Sequence, residues 1–185
     1  MAKLYFRYGV ISSAKTLNLL ATLHNYEQQG KRALLLKPAL DTRSVLVESR
    51  AGMSHKADYI LSPEDRITPL IENVDSLSAI LVDEVQFFSP DQIKEFRLIS
   101  ALKEIPVLTY GLRTKFDGSL WESVISLMAL ADSIEEIKTT CAYCSRKAVF
   151  SKRVSSSKSD VELSWDTYVP VCPYHFYKEA DESRL

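Results

Sequence analysis

Two groups of residues in this chain have the types and spacings that chemistry needs. The first is Cys141-Ala142-Tyr143-Cys144 with Cys172-Pro173-Tyr174-His175, a C-x2-C knuckle and a C-x2-H knuckle that together use all 3 cysteines and one of the 3 histidines. Three thiolates and an imidazole in paired knuckles suit a closed tetrahedral zinc site of Cys141, Cys144, Cys172 and His175. Such a site is structural, because it leaves no coordination position for a reactant. The plain alternative is buried free thiols beside a surface histidine. A redox C-x-x-C would leave Cys172 and His175 unexplained.

The second group is Gly9-Val10-Ile11-Ser12-Ser13-Ala14-Lys15-Thr16, which follows G-x-x-x-x-G-K-[ST] at every position but one. In that pattern successive backbone N–H groups curl around a phosphate at a helix N-terminus. The lysine reaches the outer phosphates, and the hydroxyl of the last residue sits on a magnesium ion. Gly9, Ser12, Ser13, Ala14, Lys15 and Thr16 are therefore candidate phosphate contacts. Ala14 stands where the pattern has glycine. If the position needs φ > 0, its Cβ costs ~1 kcal/mol or more. The alternative is a small polar loop capping a helix, with Lys15 solvated.

A phosphate loop needs an acidic partner at the end of a hydrophobic strand, and Ile80-Leu81-Val82-Asp83-Glu84 supplies one. Asp83 is placed to hold magnesium, directly or through water. Glu84 is placed to accept the proton of an attacking hydroxyl. Taken alone, the pair reads equally as a strand end entering solvent.

Elements to position these groups are legible. Leu4–Tyr8 reads as a buried strand, and Leu17, Leu20, Ala21 and His24 space a helix from Lys15 to about Gln29, with His24 packed on its apolar side. Gly30 ends it. Ala33–Lys37 is a second buried strand stopped by Pro38, completing the βαβ order of a parallel α/β sheet. Residues 41–69 are polar and mixed, which predicts loops and short elements, with His55 exposed in one of them. Ala79–Val82 and Ile105–Tyr110 read as further strands, and helices are predicted from Pro90 to about Lys103 and over Leu120–Ala131. After Ile137 the cysteines and a run of β-formers mark a second unit. The expected domains are 1–138 and 139–185.

The 185 residues are 46% hydrophobic, so a sizeable core is available, and 23 basic against 24 acidic residues leave a net charge of −1. A near-neutral chain lacks the dense basic face that sequence-independent nucleic-acid binding needs. No apolar run approaches the ~20 residues that cross a bilayer, and the N-terminus lacks a signal-peptide pattern, so a cytoplasmic protein with no membrane or nucleic-acid partner is expected.

Several blocks in order make the chain resemble the type II, zinc-containing thymidine kinases. They include Tyr5-Phe6-Arg7-Tyr8-Gly9, His24-Asn25-Tyr26-Glu27, Lys37-Pro38-Ala39-Leu40-Asp41-Thr42-Arg43 and Ser49-Arg50. Val82-Asp83-Glu84-Val85-Gln86-Phe87-Phe88, Tyr110-Gly111-Leu112-Arg113-Thr114-Lys115-Phe116 and the two knuckles complete the set. The resemblance implies a RecA-like P-loop domain with a small zinc-bound lasso, usually assembled as a homotetramer. It implies transfer of the ATP γ-phosphate, with Mg2+, to the 5′-hydroxyl of thymidine or deoxyuridine. On it, Glu84 falls at the catalytic base, and Asp41 and Arg43 lie near the transferring phosphates. Asp83 lies near the metal, and Gln86 joins the nucleotide-binding set. Ile11, Leu112, Phe116 and Trp121 match the walls of the nucleoside pocket, and Ser151 and Tyr168 match the loop over the base. Ala14 departs from the family pattern, as does Val161-Glu162-Leu163-Ser164-Trp165-Asp166-Thr167, which lacks a glycine pair. These departures leave a second expectation open, a catalytically weak nucleotide-binding paralogue with a regulatory or assembly role.

Overall fold

The computed structural model describes residues 1–41, 44–72, 74–154 and 167–182. In chain order the elements are β1 (Leu4–Tyr8), α1 (Lys15–Gln28), β2 (Arg32–Pro38), β3 (Leu46–Glu48), β4 (Ser54–Lys56), β5 (Tyr59–Leu61) and α2 (Thr68–Ile71). There follow β6 (Leu77–Val82), a one-turn 3-10 helix (Val85–Phe87), α3 (Pro90–Leu102), β7 (Val107–Gly111), α4 (Glu122–Leu130) and β8 (Ser133–Glu136). The chain closes with β9 (Phe150–Arg153), β10 (Tyr168–Val171) and α5 (Pro173–Glu182).

Six strands form one sheet in the order β5-β2-β6-β7-β1-β8, every pair parallel. Parallel sheets are covered on both faces, which is why their central strands read as unbroken apolar runs. Side chains alternate between the faces. Leu34, Leu36, Ile80 and Val82 pack with Ile93, Phe96 and Ile99 of α3 and Val124 and Leu127 of α4. Leu35, Leu81 and Tyr110 pack on the other face with Leu19, Leu20 and Leu23 of α1. Helix α3 begins where the sequence directs it: Ser89 caps it, Gln92 returns a bond to the Ser89 N–H, and Pro90 takes the first turn.

Two expectations change. The buried stripe of α1 is Lys15, Leu19, Leu20 and Leu23, so the helix is turned from the anticipated phase and His24 is exposed rather than packed. The polar stretch after Asp41 holds loops and short elements as expected, among them a β3–β4 hairpin and a sixth sheet strand, β5. His55 sits on β4, where its Nε2 lies 3.1 Å from Glu27 Oε1 of α1. Strands of three residues are too short to show a period, and neighbours rather than local pattern decide them.

Beyond β8 the chain leaves the sheet. Strands β9 and β10 pair antiparallel, and Val171, Cys141 and Cys172 form a small core of their own with Phe150, Val169 and Phe176 against it.

Candidate active site

All six parallel strands point their C-terminal ends the same way, and the loops that leave those ends hold the chemistry, as the topology of open α/β sheets directs. The loop after β1 runs from Gly9 into α1. Ser12 has φ 59° and Ala14, the N-cap, has φ 64°. The position where the pattern has glycine does take the left-handed conformation, and the alanine adopts it. At Gly9 a Cβ would lie 2.6 Å from the Ile137 carbonyl oxygen, so only glycine fits.

Lys15 is buried, and its Nζ donates to the Val10 carbonyl at 2.8 Å, within the loop's own curve. Burial pushes its pKa down, against the pull of Glu84 and Asp83. The Thr16 hydroxyl lies 3.3 Å and 3.5 Å from the two Asp83 carboxylate oxygens. Burial, and then the neighbouring Glu84, push the Asp83 carboxyl up to about 7. Glu84 follows at φ 47°, a conformation rare for a non-glycine residue. Gln86 secures it from behind: Nε2 donates to Glu84 Oε2 at 2.6 Å, and Oε1 accepts the Leu112 N–H at 2.9 Å. Gln86 is 3% exposed and is absent from the walls of the cavity beside the loop, so its place is under Glu84.

That cavity, about 360 Å³, is lined by the phosphate loop with Asp41, Ser49, Arg50, Asp83 and Glu84 among others. Asp41 is positioned by Lys37, which is 1% exposed, lies 3.1 Å from Asp41 Oδ2, and donates to the Ser44 and Leu46 carbonyls at 2.5 Å and 3.3 Å. Arg43, named from the sequence, lies outside the described residues.

Of the nucleoside-pocket candidates, Ile11 lines the cavity beside the phosphate loop, and Leu112 and Ser151 line a small neighbouring one. Ser151 of β9 accepts the Ile11 N–H at 3.0 Å, tying the phosphate loop to the smaller sheet. The Arg153 guanidinium lies 4.0 Å from the centre of the Phe116 ring and donates to the Tyr168 hydroxyl at 2.8 Å. Trp121 meets Phe87 edge-on at 5.3 Å, and its indole N–H has no hydrogen-bond partner among the described residues. Lys37, Arg50 and Arg153 were not assigned roles from the sequence. The available signals were Lys37 four residues before Asp41, Arg50 beside Ser49, and Arg153 two residues from Ser151 on one strand.

The cysteine knuckles converge. The four ligand atoms of Cys141, Cys144, Cys172 and His175 lie within 4.8 Å of one another. His175 Nδ1 is 3.4, 3.7 and 3.3 Å from the three sulfurs in that order, and the Cys144 and Cys172 sulfurs are 3.8 Å apart. A tetrahedral zinc with Zn–S ~2.3 Å and Zn–N ~2.0–2.1 Å has edges of roughly 3.5–3.8 Å, so the cluster could hold that ion. Burial would raise the Cys141 thiol. N–H donors from Tyr143 and Cys172, with His175 and Cys144, outweigh it and bring the group to about 6, toward the thiolate a metal needs.

The parallel sheet and the loop at the end of β1 define a protein of the P-loop class. The thymidine kinase family profile matches residues 2–176, and the chain belongs to that family. It is 36% identical over 185 residues to a thymidine kinase of Streptococcus pyogenes serotype M3, covering 96% of this chain and 98% of that one. It is 39% identical over 190 residues to a thymidine kinase of Lactococcus lactis subsp. lactis, again covering 96% and 98%. Among solved structures, the Pif1 helicase from Candida albicans aligns at TM-score 0.46 and 8% identity, covering 74% of this chain and 36% of that one.

Proposed function

We propose that this chain phosphorylates thymidine or deoxyuridine, moving the γ-phosphoryl group of ATP to the 5′-hydroxyl. The observation that carries the reading is the convergence of Lys15, Thr16, Asp83 and Glu84 on one cavity. The loop N–H groups and Lys15 hold the triphosphate. Thr16 and Asp83, 3.3 Å apart, are the oxygen ligands that would hold Mg2+, which when bound neutralises charge on the phosphate oxygens. Glu84 takes the proton as the 5′-oxygen attacks γ-phosphorus and the bond to the leaving ADP breaks. Gln86 positions that carboxylate, and Asp41 and Arg43 act beside the transferring group, the guanidinium spreading charge off its oxygens. Ile11, Leu112, Phe116 and Trp121 wall the nucleoside, with Ser151 and Tyr168 over the base.

The same reading takes residues 1–138 as the kinase unit and 139–185 as a zinc-tied lasso closing over the base. The zinc is structural and stays out of the reaction. Leu98 and Leu102 of α3 and Ile125 and Met128 of α4 are exposed apolar side chains on helices that pack together, an arrangement that supports burial between copies in a homotetramer. No helix among the described residues is long and apolar enough to cross a membrane, and the activity suits the cytoplasm.

The test is product formation by zinc-loaded protein given Mg·ATP and, in turn, thymidine, deoxyuridine, cytidine and no acceptor. The 5′-monophosphates of the first two should form, with no more than background ADP release elsewhere. Turnover with cytidine at the same rate, or none with any acceptor, refutes the assignment.

A further inference from the structure

The β3–β4 hairpin carries an arginine to the phosphate loop from outside the motif. Its turn is a fixed structure: Ser49 N–H donates to the Met53 carbonyl at 2.8 Å, the Met53 N–H donates to Ser49 Oγ at 3.1 Å, and Gly52 supplies φ 86°. The hairpin is fastened to the body at three points. Lys37 holds the carbonyls at its entry, Val47 is 2% exposed within the α1 core, and His55 pairs with Glu27. Arg50 sits on that turn. Its Nη1 donates to the Ser12 hydroxyl, the fourth residue of the loop, at 2.6 Å, and it lines the same cavity as Lys15, Asp83 and Glu84. Its charge also bears on buried Lys15, disfavouring the lysine's protonated form, after the larger effects of burial and the two carboxylates. Two cations from separate elements thus face one cavity, where a polyanion can bond both. A guanidinium is the fitting group for that task, because its planar fork can bond two phosphate oxygens at once while an ammonium offers a point charge.

We propose that Arg50 is a phosphate-binding residue of this enzyme, reaching from the hairpin turn to grip the ATP triphosphate against the loop that holds Ser12 and Lys15. The inference rests on the kinase reading above and adds to it a residue outside the P-loop motif. Its contribution falls on ATP rather than the nucleoside, because Arg50 bonds the phosphate loop at Ser12 while Leu112, Phe116, Trp121, Ser151 and Tyr168 of the nucleoside set come from other segments.

The experiment is titration calorimetry of Mg·ATP against the full zinc-loaded chain and its Arg50→Gln and Arg50→Lys variants, with the KM for each substrate and the thermal midpoint alongside. Loss of a charged, two-pronged contact should weaken Mg·ATP binding roughly tenfold to a hundredfold in Arg50→Gln. Arg50→Lys should fall between that variant and wild type, with the thymidine KM unchanged within about twofold. The side chain is exposed, so both variants should keep the wild-type midpoint. Wild-type protein that binds no Mg·ATP refutes the kinase reading itself. Wild-type binding matched by Arg50→Gln, or an equal loss for both substrates, refutes the role of Arg50 alone.

Discussion

Around the phosphate loop, Ser12, Ala14 and Glu84 hold positive φ without being glycine, Asp83 is a buried carboxyl pushed up to about 7, and the buried Ser13 hydroxyl has no hydrogen-bond partner among the described residues. Around the cysteine knuckles, none of the described residues has positive φ, the Tyr143 N–H already donates to the Cys141 sulfur, and the four ligand atoms lie within 4.8 Å of one another. The first region stores strain and buried charge that a bound triphosphate and cation can relieve. Strain of this kind persists only where the surrounding fold over-determines it. The second is arranged so that one ion could complete it and hold it closed. A transferase needs both: a poised site that binds and releases, and a frame that does neither during turnover.

The contrast breaks most sharply at the frame. Cys172→Ser removes a ligand from a 0% exposed position where β10 meets α5. It should cost more than about 3 kcal/mol of stability, because metal binding there is folding energy, and zinc content should drop with it. Thermal melts with metal analysis check this. A midpoint unmoved by the substitution would mean the frame stands without its metal.

At the poised end the sign reverses: removing a conserving charge should stabilise. Asp83 in the unfolded chain ionises near its ordinary 3.8, but in the fold its carboxyl keeps a proton up to about 7. The folded state therefore binds more protons across that window, and wild-type stability falls as pH rises through it. Asp83→Asn removes this fall. The ligand-free variant should exceed wild type by roughly 1–3 kcal/mol at pH 8 and converge with it near pH 4, while losing activity. Denaturant melts at several pH values read this out; a variant less stable than wild type at pH 8 would contradict the assignment of burial as the dominant cause.

The smallest effect sharpens the comparison. Ala14→Gly relieves a Cβ at φ 64° and should raise stability by up to about 1 kcal/mol, less what glycine's freedom in the unfolded chain takes back. A midpoint lowered by the substitution would show that the alanine methyl contributes packing that outweighs its strain.

The sequence disclosed these regions unequally. The cysteine knuckles were legible because ligand spacing is a local property. The strands and helices that carry the loop were legible because buried parallel strands are continuous apolar runs: β1 matched its expected bounds, and α1 differed by one residue at its end. The phase of α1 was misread because Leu17, Leu20 and Ala21 make a credible stripe, while the face that packs runs through Lys15, Leu19 and Leu23. The need for positive φ at position 14 could be posed from the motif but only the backbone answered it. Gln86 under Glu84, Arg50 on Ser12 and Arg153 over Phe116 join residues far apart in the chain or turned by the fold, and no pattern along a single segment encodes them.

The central claim is that Glu84 accepts the proton of the attacking 5′-hydroxyl in a site that otherwise binds its nucleotide unaided. The direct measurement is kcat for thymidine phosphorylation by Glu84→Gln, with Mg·ATP affinity measured on the same protein. Gln at this position keeps the size of the side chain and can still meet Gln86. The account predicts kcat reduced by roughly 10²–10⁴ with ATP affinity within a fewfold of wild type. A variant that turns over thymidine at the wild-type rate would contradict it.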